Sequence, residues 1–475
     1  MARKQSHNTG THRLGFRERV ITVFDLGIEG GAIVSLQGRR YANLYVSNGR
    51  VGAVTPERAD AREVFDASGL LVMPGMVDSH VHFMDPADPT REDFPTGSSA
   101  AAAAGVTTIV EHTHGSPVRT TDDLEEKRHY LRDRSHVDFG LAAHAWPDHI
   151  DHVEGLWKAG ITFMKVFTCT THGVPGFNNS DLRKLFGQTS RIGIPCLVHC
   201  EDETITAAEE QTLRAEGMTG GGVIPLWRNR DAEVVAVASA TLLATRHRAR
   251  MVVAHVSHPA ALQVVEFARS LGSQIYAETC PQYLSLFEAE VLDHEAFRKF
   301  TPPARARSQA DLDEMWSAVH RRAITHISTD HAPSTAEHKQ GGDIWDAPFG
   351  LPGIDTTLAV LLNAAHEGRL GYEDVVRIYS ETPARIYGLF PRKGALHPGS
   401  DADVILVDPT AEWTVGDGDI LSRAGWSPLS GKRLLGRAVR TYLRGELIAA
   451  DRTPMTQPGV GQFLPGPGAS DKPDA

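Results

Sequence analysis

The sequence predicts an α/β protein: a (β/α)8 TIM-like barrel carrying a small β-sandwich domain formed from both chain ends. Three observations predict it. Eight short apolar runs alternate with helical patterns through the middle of the chain. Ionisable residues gather at the C-terminal ends of those runs. Stretches of alternating apolar and polar residues, broken by Gly-rich turns, flank that middle on both sides. Strands buried on both faces read as continuous apolar runs, the pattern of a parallel barrel. Alternation marks strands with one wet face.

The elements follow in order. Residues 1–18 (MARKQSHNTGTHRLGFRE) are polar and basic, lack the apolar core of a secretory signal, and are expected to be a disordered tail. Residues 19–72 include GIEGGAIVSLQGRRYANLYVSNGRVGAV, which reads as several short antiparallel strands. Residues 73–389 form the barrel, with its first apolar run beginning just ahead of that boundary. The runs are LLVMPGMVDSHVH, VTTIVEHT, VDFGLAAHAW, ITFMKVF, PCLVHCE, MVVAHVSH, QIYAETC and THISTDH. Between them lie helical patterns such as EVVAVASATLLATRHRA and PAALQVVEFARSLG. Residues 390–453 return to the β texture, in SDADVILVDP and RAVRTYLRGELIAAD, and complete the sandwich. Residues 454–475 are rich in Pro, Gly and Asp and are expected to form a mobile C-terminal tail or arm.

Composition narrows the function. The 475 residues carry a net charge of −11, with no basic footprint for nucleic acid. No window approaches the roughly 18 apolar residues of a membrane span. Cys169, Cys196, Cys200 and Cys280 show no disulfide framework, and a reducing cytoplasm is the expected compartment.

The chemistry lies at the run ends. His80 and His82 close the first run, and strand alternation puts positions i and i+2 on one face. Two imidazoles leaving one strand on one side make half a transition-metal site. Lys165 sits inside Phe163-Met164-Lys165-Val166-Phe167, where a lysine is costly unless paired or chemically altered. The fifth run supplies His199, the sixth His255 and the eighth Asp330. In a parallel barrel these positions all face the catalytic mouth.

These residues, with the motifs PGMVDSHVHF, GITFMKVF, LVHCED, AHVSH, AETCPQYL, STDHAP and PARIYGLFPRKGALHPGSDADVILVDP, make the chain resemble the cyclic amidohydrolases: hydantoinases, dihydropyrimidinases, allantoinases and dihydroorotases. The resemblance runs from about residue 20 to 450. It implies two divalent metal ions, Zn²⁺ first, with Mn²⁺, Co²⁺ or Ni²⁺ as alternatives. His80, His82 and Asp330 would hold one ion, and His199 and His255 the other. Lys165 would bridge both as a carbamate formed from carbon dioxide and the neutral amine. Hydroxide generated at neutral pH would attack the amide carbonyl, with Asp330 as general base and then acid. A homotetramer or dimer is also implied.

Substrate signals are mixed. Dihydroorotases place an Arg two residues after the second His to read a carboxylate; here it is Met84, which disfavours dihydroorotate. Arg91 and Arg119 are the nearby candidates to compensate. Gln282 in CPQYL is hydantoinase-like, and Thr279 maps to the backbone groups that fix the ring. Thr170, five residues after Lys165, is closer to allantoinases and L-type hydantoinases. Phe349 stands where hydantoinases often place Asn. Met84, Phe177 and Phe349, if they line the pocket, suit an alkyl- or aryl-substituted hydantoin; a ureido tail needs donors and acceptors there. His112, His114 and His144 either face the pocket or sit at its rim, and His331 is expected to point away as a structural residue. The leading expectation is ring opening of a hydantoin, dihydropyrimidine or related ureide, with allantoinase second. Dihydroorotase and a non-catalytic assembly homologue rank lower; the latter would lack some of the six metal-set residues, and this chain keeps all six. A phosphate-binding barrel finds no Gly-rich loop near the last runs.

Overall fold

The computed structural model describes residues 23–469, so the expectation for residues 1–18 lies outside the described residues. The eight apolar runs form the barrel strands: β1 (Met76–Val81), β2 (Val106–Glu111), β3 (Asp138–Leu141 and Ala143–His144), β4 (Met164–Phe167), β5 (Cys196–His199), β6 (Met251–Val253), β7 (Ile275–Thr279) and β8 (His326–Ile327). Each pairs in parallel with the next. The break in β3 is where the strand changes partners. Ala142 N donates to Glu111 O of β2, and Ala143 N to Phe163 O beside β4. A parallel bridge between Val81 and His331, with His82 N donating to His331 O at 2.7 Å, closes the ring from β8 back to β1.

Helices between strands begin where the sequence supplies caps. Side-chain oxygens of Asn178, Asp202, Asn229 and Ser308 accept first-turn N–H groups of Asn179–Ile192, Glu203–Ala215, Arg230–His247 and Gln309–His320. Their apolar faces, such as Leu182, Leu185 and Phe186, pack on the strands in one large core.

Both chain ends build the sandwich. Arg50–Thr55, Asn43–Ser47, Phe24–Glu29 and Ala61–Asp66 form one sheet in that order. The second runs from Gly38–Tyr41 through Ala32–Ser35, Leu71–Pro74, Val404–Thr414, Arg433–Leu443 and Glu446–Ala450 to Thr453–Pro454. Val404 to Val407 pair antiparallel with Leu71–Pro74, stitching the late segment to the early one. Ile28, Leu44, Val72, Val404 and Leu406 fill the core of this domain. A buried ionic node ties it to the barrel. Lys393 Nζ donates to Asp138 at the start of β3 (2.5 Å) and to Asp403 (2.7 Å), and Arg444 also pairs with Asp138.

The C-terminal segment differs from its expectation as a mobile tail. Up to residue 469 it packs against the barrel: Phe139 N donates to Gln462 O, Gly466 N to Gly160 O, and Leu464 is buried. Two glycines permit this approach. A Cβ at Gly461 or Gly466 would stand 2.0 Å from the carbonyl oxygens of Val137 and Ile161.

Candidate metal centre and active site

The strand ends bring His80, His82, Lys165, His199, His255 and Asp330 around one cavity of about 240 Å³. Five of the six are almost fully buried, and Asp330 opens slightly to the cavity. His80 Nε2 lies 3.1 Å from Asp330 Oδ1 and 3.2 Å from Lys165 Nζ. His82 Nε2 lies 3.3 Å from the same Asp330 oxygen. His199 Nδ1 lies 3.0 Å from His255 Nε2. His255 and Asp330 adopt φ of 35° and 50°, in the left-handed region.

Proton bookkeeping shows that this set fits cations. His80 Nδ1 donates to Glu278 Oε1 at 2.6 Å, and His82 Nδ1 donates to the His112 carbonyl at 3.0 Å. In those neutral tautomers both Nε2 atoms are bare and point at a carboxylate oxygen. His199 Nε2 donates to Glu201 Oε2 at 2.9 Å, which leaves its Nδ1 bare toward His255. With His80 and His82 in those tautomers, two electron-pair donors face the Asp330 carboxylate with no proton of their own between, a place for a cation. Imidazole and carboxylate are the ligands of Zn²⁺, and His80, His82 and His199 are oriented through their other nitrogen, the usual arrangement for a ligating His, whereas His255 Nδ1 has no partner among the described residues.

Electrostatics agrees. Without an ion a proton takes that place: burial would raise Asp330, but the charge of a doubly protonated His80 and hydrogen bonds from protonated Nε2 atoms of His80 and His82 hold it well below the usual carboxylate range. Burial and neighbouring cations push His255 well below an ordinary imidazole. Burial and Lys165 both press His80 down, yet Glu278 and Asp330 outweigh them and its net shift is upward. Burial lowers Lys165 to about 8 against the attraction of Asp330 and Glu278, so a large share of the amine is neutral at mildly alkaline pH and able to add carbon dioxide.

A stability prediction follows for metal-free protein. Between about 8 and the ordinary value of 10.5 the unfolded chain holds a proton on Lys165 that the folded chain does not, so stability rises with pH there. Lys299 is lowered to about 8 too, so the informative quantity is a difference. The melting temperature of the wild type minus that of Lys165→Met should grow between about pH 7.5 and 9.5; a flat difference contradicts the buried amine.

Two groups of residues support the centre, and sequence reasoning missed both. Glu278, fully buried on β7, also accepts from His255 N (3.3 Å) and lies 3.4 Å from His326 Nε2. Glu201 binds Arg228 (3.0 Å), Arg305 (2.6 Å) and Thr301 (2.7 Å) besides His199. These cations already claim Glu201, so the grouping of Cys169, His199 and Glu201 is a supporting cluster. Only the strand-end positions of Glu201 in LVHCED and Glu278 in AETC hinted at these roles. Glu278→Gln should weaken metal binding by roughly 10–100-fold, read by chelator competition; unchanged affinity would remove its supporting role.

The other predicted residues divide. Met84 and Phe349 line the cavity. Thr170 does not: it sits in a separate outer cleft beside Gly176 and Asn178, its N–H donating to Glu203. Phe177 lines that same cleft. Thr279 is buried behind the cavity lining, its hydroxyl donating to Val256 O (2.7 Å) and its carbonyl accepting from Ser328 N (3.2 Å). Gln282 Nε2 donates to Thr329 O at 3.4 Å. His114 lines the cavity, and its Nδ1 lies 3.0 Å from His144 Nε2. His112 is fully buried behind it, against His80 and His82. His331 points away as expected, to Glu92 (3.2 Å) and the N–H groups of Gly353 and Ile354. The loop after β1 is pinned by Asp85, which accepts from Phe94 N (2.9 Å), Tyr130 (2.7 Å) and Arg134 (2.7 Å).

Fold and site together define a (β/α)8-barrel protein with a donor-rich, cation-fitting centre at the mouth of the barrel. The chain belongs to the amidohydrolase family, whose profile matches residues 71–423. It is 31% identical over 454 residues to an L-hydantoinase of Paenarthrobacter aurescens, covering 93% of this chain and 98% of that protein. It is 34% identical over 435 residues to an allantoinase of Rubrobacter xylanophilus, covering 90% of this chain and 95% of that one. Among solved structures it resembles the L-hydantoinase (dihydropyrimidinase) from Arthrobacter aurescens, with a TM-score of 0.89 at 29% identity, covering 93% of this chain and all of that one.

Proposed function

We propose that this chain is a metal-dependent hydrolase that opens cyclic amides, with 5-substituted hydantoins as its first substrates. The observation that carries the reading is the convergence of four imidazoles, Lys165 and Asp330 on one cavity at hydrogen-bonding distances. His80, His82 and Asp330 would hold one divalent ion, His199 and His255 a second, and Lys165, as its carbamate, would join them. Zn²⁺ matches this ligand chemistry best. Bound divalent ions supply water that ionises near neutral pH and polarise the amide carbonyl. The chain does the rest. Asp330 takes a proton at Oδ1 or Oδ2 and returns it to the leaving ring nitrogen. Glu278, Glu201 and the His112 carbonyl hold the imidazoles in their tautomers. Met84, Phe167 and Phe349 offer apolar wall to a ring substituent. The cavity accommodates one small ring, not a polymer.

Allantoin is the second reading. Arg91, Asp88 and His114 place donors and acceptors on the same wall, as a ureido arm requires. A homotetramer or dimer and a cytoplasmic setting belong to the same proposal; a monomer by light scattering would remove the first. Among the described residues no helix is long and apolar enough to cross a membrane.

The test is hydrolysis by protein supplied with Zn²⁺ or Mn²⁺, on hydantoin, 5-substituted hydantoins, dihydrouracil, allantoin and dihydroorotate. Preference for 5-substituted hydantoins supports the first reading, and preference for allantoin the second. Bound metal with no turnover on any ring would sink the ring assignments and keep the hydrolase chemistry.

A further inference from the structure

Arg91 lies on the loop after β1 and lines the same cavity as the metal-centre residues. Its guanidinium is partly buried and forms no ion pair among the described residues. Nε donates to Pro333 O (3.1 Å) and Ser334 Oγ (2.9 Å), and Nη2 donates to Phe349 O (3.1 Å). These contacts tie the loop after β1 to the loop after β8 and fix the plane of the guanidinium. Nη1 has no protein acceptor among the described residues. The result is a cation oriented by neutral groups, with unused N–H donors, on a residue that lines the cavity together with Met84 and Phe349. A guanidinium held in this way loses little freedom on binding an oxygen. Asp88 lines the cavity nearby, and its Oδ1 accepts from Thr90 Oγ1 at 2.5 Å.

We infer that Arg91 is a specificity-determining residue that selects cyclic amides whose ring substituent ends in an acceptor oxygen, through hydrogen bonds from Nη1. The inference rests on the ring-opening reading and narrows it. Two arms present such an oxygen. A carboxylate takes the charge of Arg91 but faces the like charge of Asp88. A ureido or carboxamide group gives its carbonyl to Arg91 and an N–H to Asp88. A purely alkyl arm leaves Arg91 desolvated and unpaired, a loss that sites built for hydrogen bonding impose on analogues lacking the group.

The experiment compares three substrates in wild type and Arg91→Leu: hydantoin-5-acetate, allantoin and 5-isobutylhydantoin. The result expected is a loss of about tenfold or more in kcat/KM for hydantoin-5-acetate, allantoin or both, with 5-isobutylhydantoin unchanged or faster. Asp88→Asn separates the two arms, raising kcat/KM for the carboxylate and lowering it for the ureide. A parallel fall on all three substrates would make Arg91 a clasp between loops and overturn the inference, as would no change. Arg91→Gln, which keeps a donor for the loop carbonyls and drops the charge, serves if the leucine variant does not fold. If the wild type opens none of these rings, the ring-opening reading fails by itself. Calorimetric binding of hydantoin-5-acetate then decides Arg91: tenfold weaker binding in the variant supports it, and equal binding overturns it.

Discussion

Lys165→Ala is expected to abolish most turnover, by on the order of 10³-fold or more, while the protein stays folded. Losing a partner that merely supports a metal ligand costs roughly 10–100-fold, and losing a group that joins two ions should exceed that. Alanine deletes the amine that carbon dioxide would modify, so no carbamate forms. It also removes a buried amine 3.2 Å from His80, which disfavours the folded state while charged. Metal content should therefore fall with activity, while the metal-free melting temperature holds or rises near neutral pH. Added formate, acetate or propionate should restore part of the activity, because a short carboxylate can occupy the space of the missing side chain and supply two oxygens. Full activity without any added carboxylate would defeat the carbamate. Loss of both activity and fold would leave Lys165→Met, closer in volume, as the variant to assay for rescue.

The proposed metal set, which the structure gathers around one cavity, is legible in the sequence because of where its members stand. His80, His82, His199, His255 and Asp330 each end an apolar run, and a parallel barrel delivers run ends to one mouth whatever the intervening helices do. Lys165 declared itself as a charge inside five otherwise apolar positions. What stayed hidden depends on distant pairing or on side-chain direction. The bond between Glu201 and Arg305 spans 104 residues, and neither partner's neighbours in sequence announce it. Thr170 was placed by its distance from Lys165, but the chain turns outward after β4 and its N–H goes to Glu203. Thr279 stands at a strand end, yet its hydroxyl turns to the segment after β6 and its carbonyl accepts from the segment after β8, and it does not line the cavity. Composition misled at the C-terminus. Pro- and Gly-rich sequence reads as a free arm, whereas Gly461 and Gly466 are small so that the backbone can lie against the strands. His112 and His114 form one His-x-His that alternation would put on one face, but both lie past the end of β2, where the carbonyl of His112 is held by His82 and only His114 reaches the cavity.

The second large effect belongs to Asp330, and the backbone dictates the substitution that tests it. Its φ of 50° is tolerated by Asn far better than by Ala, so Asp330→Asn isolates the chemistry from strain. The amide keeps the shape and an acceptor oxygen toward His80 and His82, but it cannot take up a proton in the pH range of catalysis. Turnover should fall by roughly 10²–10⁴-fold, the range that a positioned acid–base group contributes. KM should change far less, because the apolar wall of Met84, Phe167 and Phe349 proposed for the substituent is untouched. The acid limb of the rate profile is the sharper readout. In the metal-free protein, protonated His80 and His82 hold the Asp330 carboxyl well below the usual range, and a cation in the same place would favour the carboxylate likewise, so it is ready to accept a proton throughout neutral pH. Any acid limb that belongs to Asp330 should vanish in the Asn variant. Activity that survives near the wild-type level, with metal still bound, would mean that another group moves the proton. One such candidate on the cavity wall is His114, whose Nδ1 is backed by His144 at 3.0 Å. Asp330→Asn combined with His114→Asn would then separate the two: if Asp330 carries the proton, the second change adds little to the first; if His114 does, the double variant loses what the single variant kept.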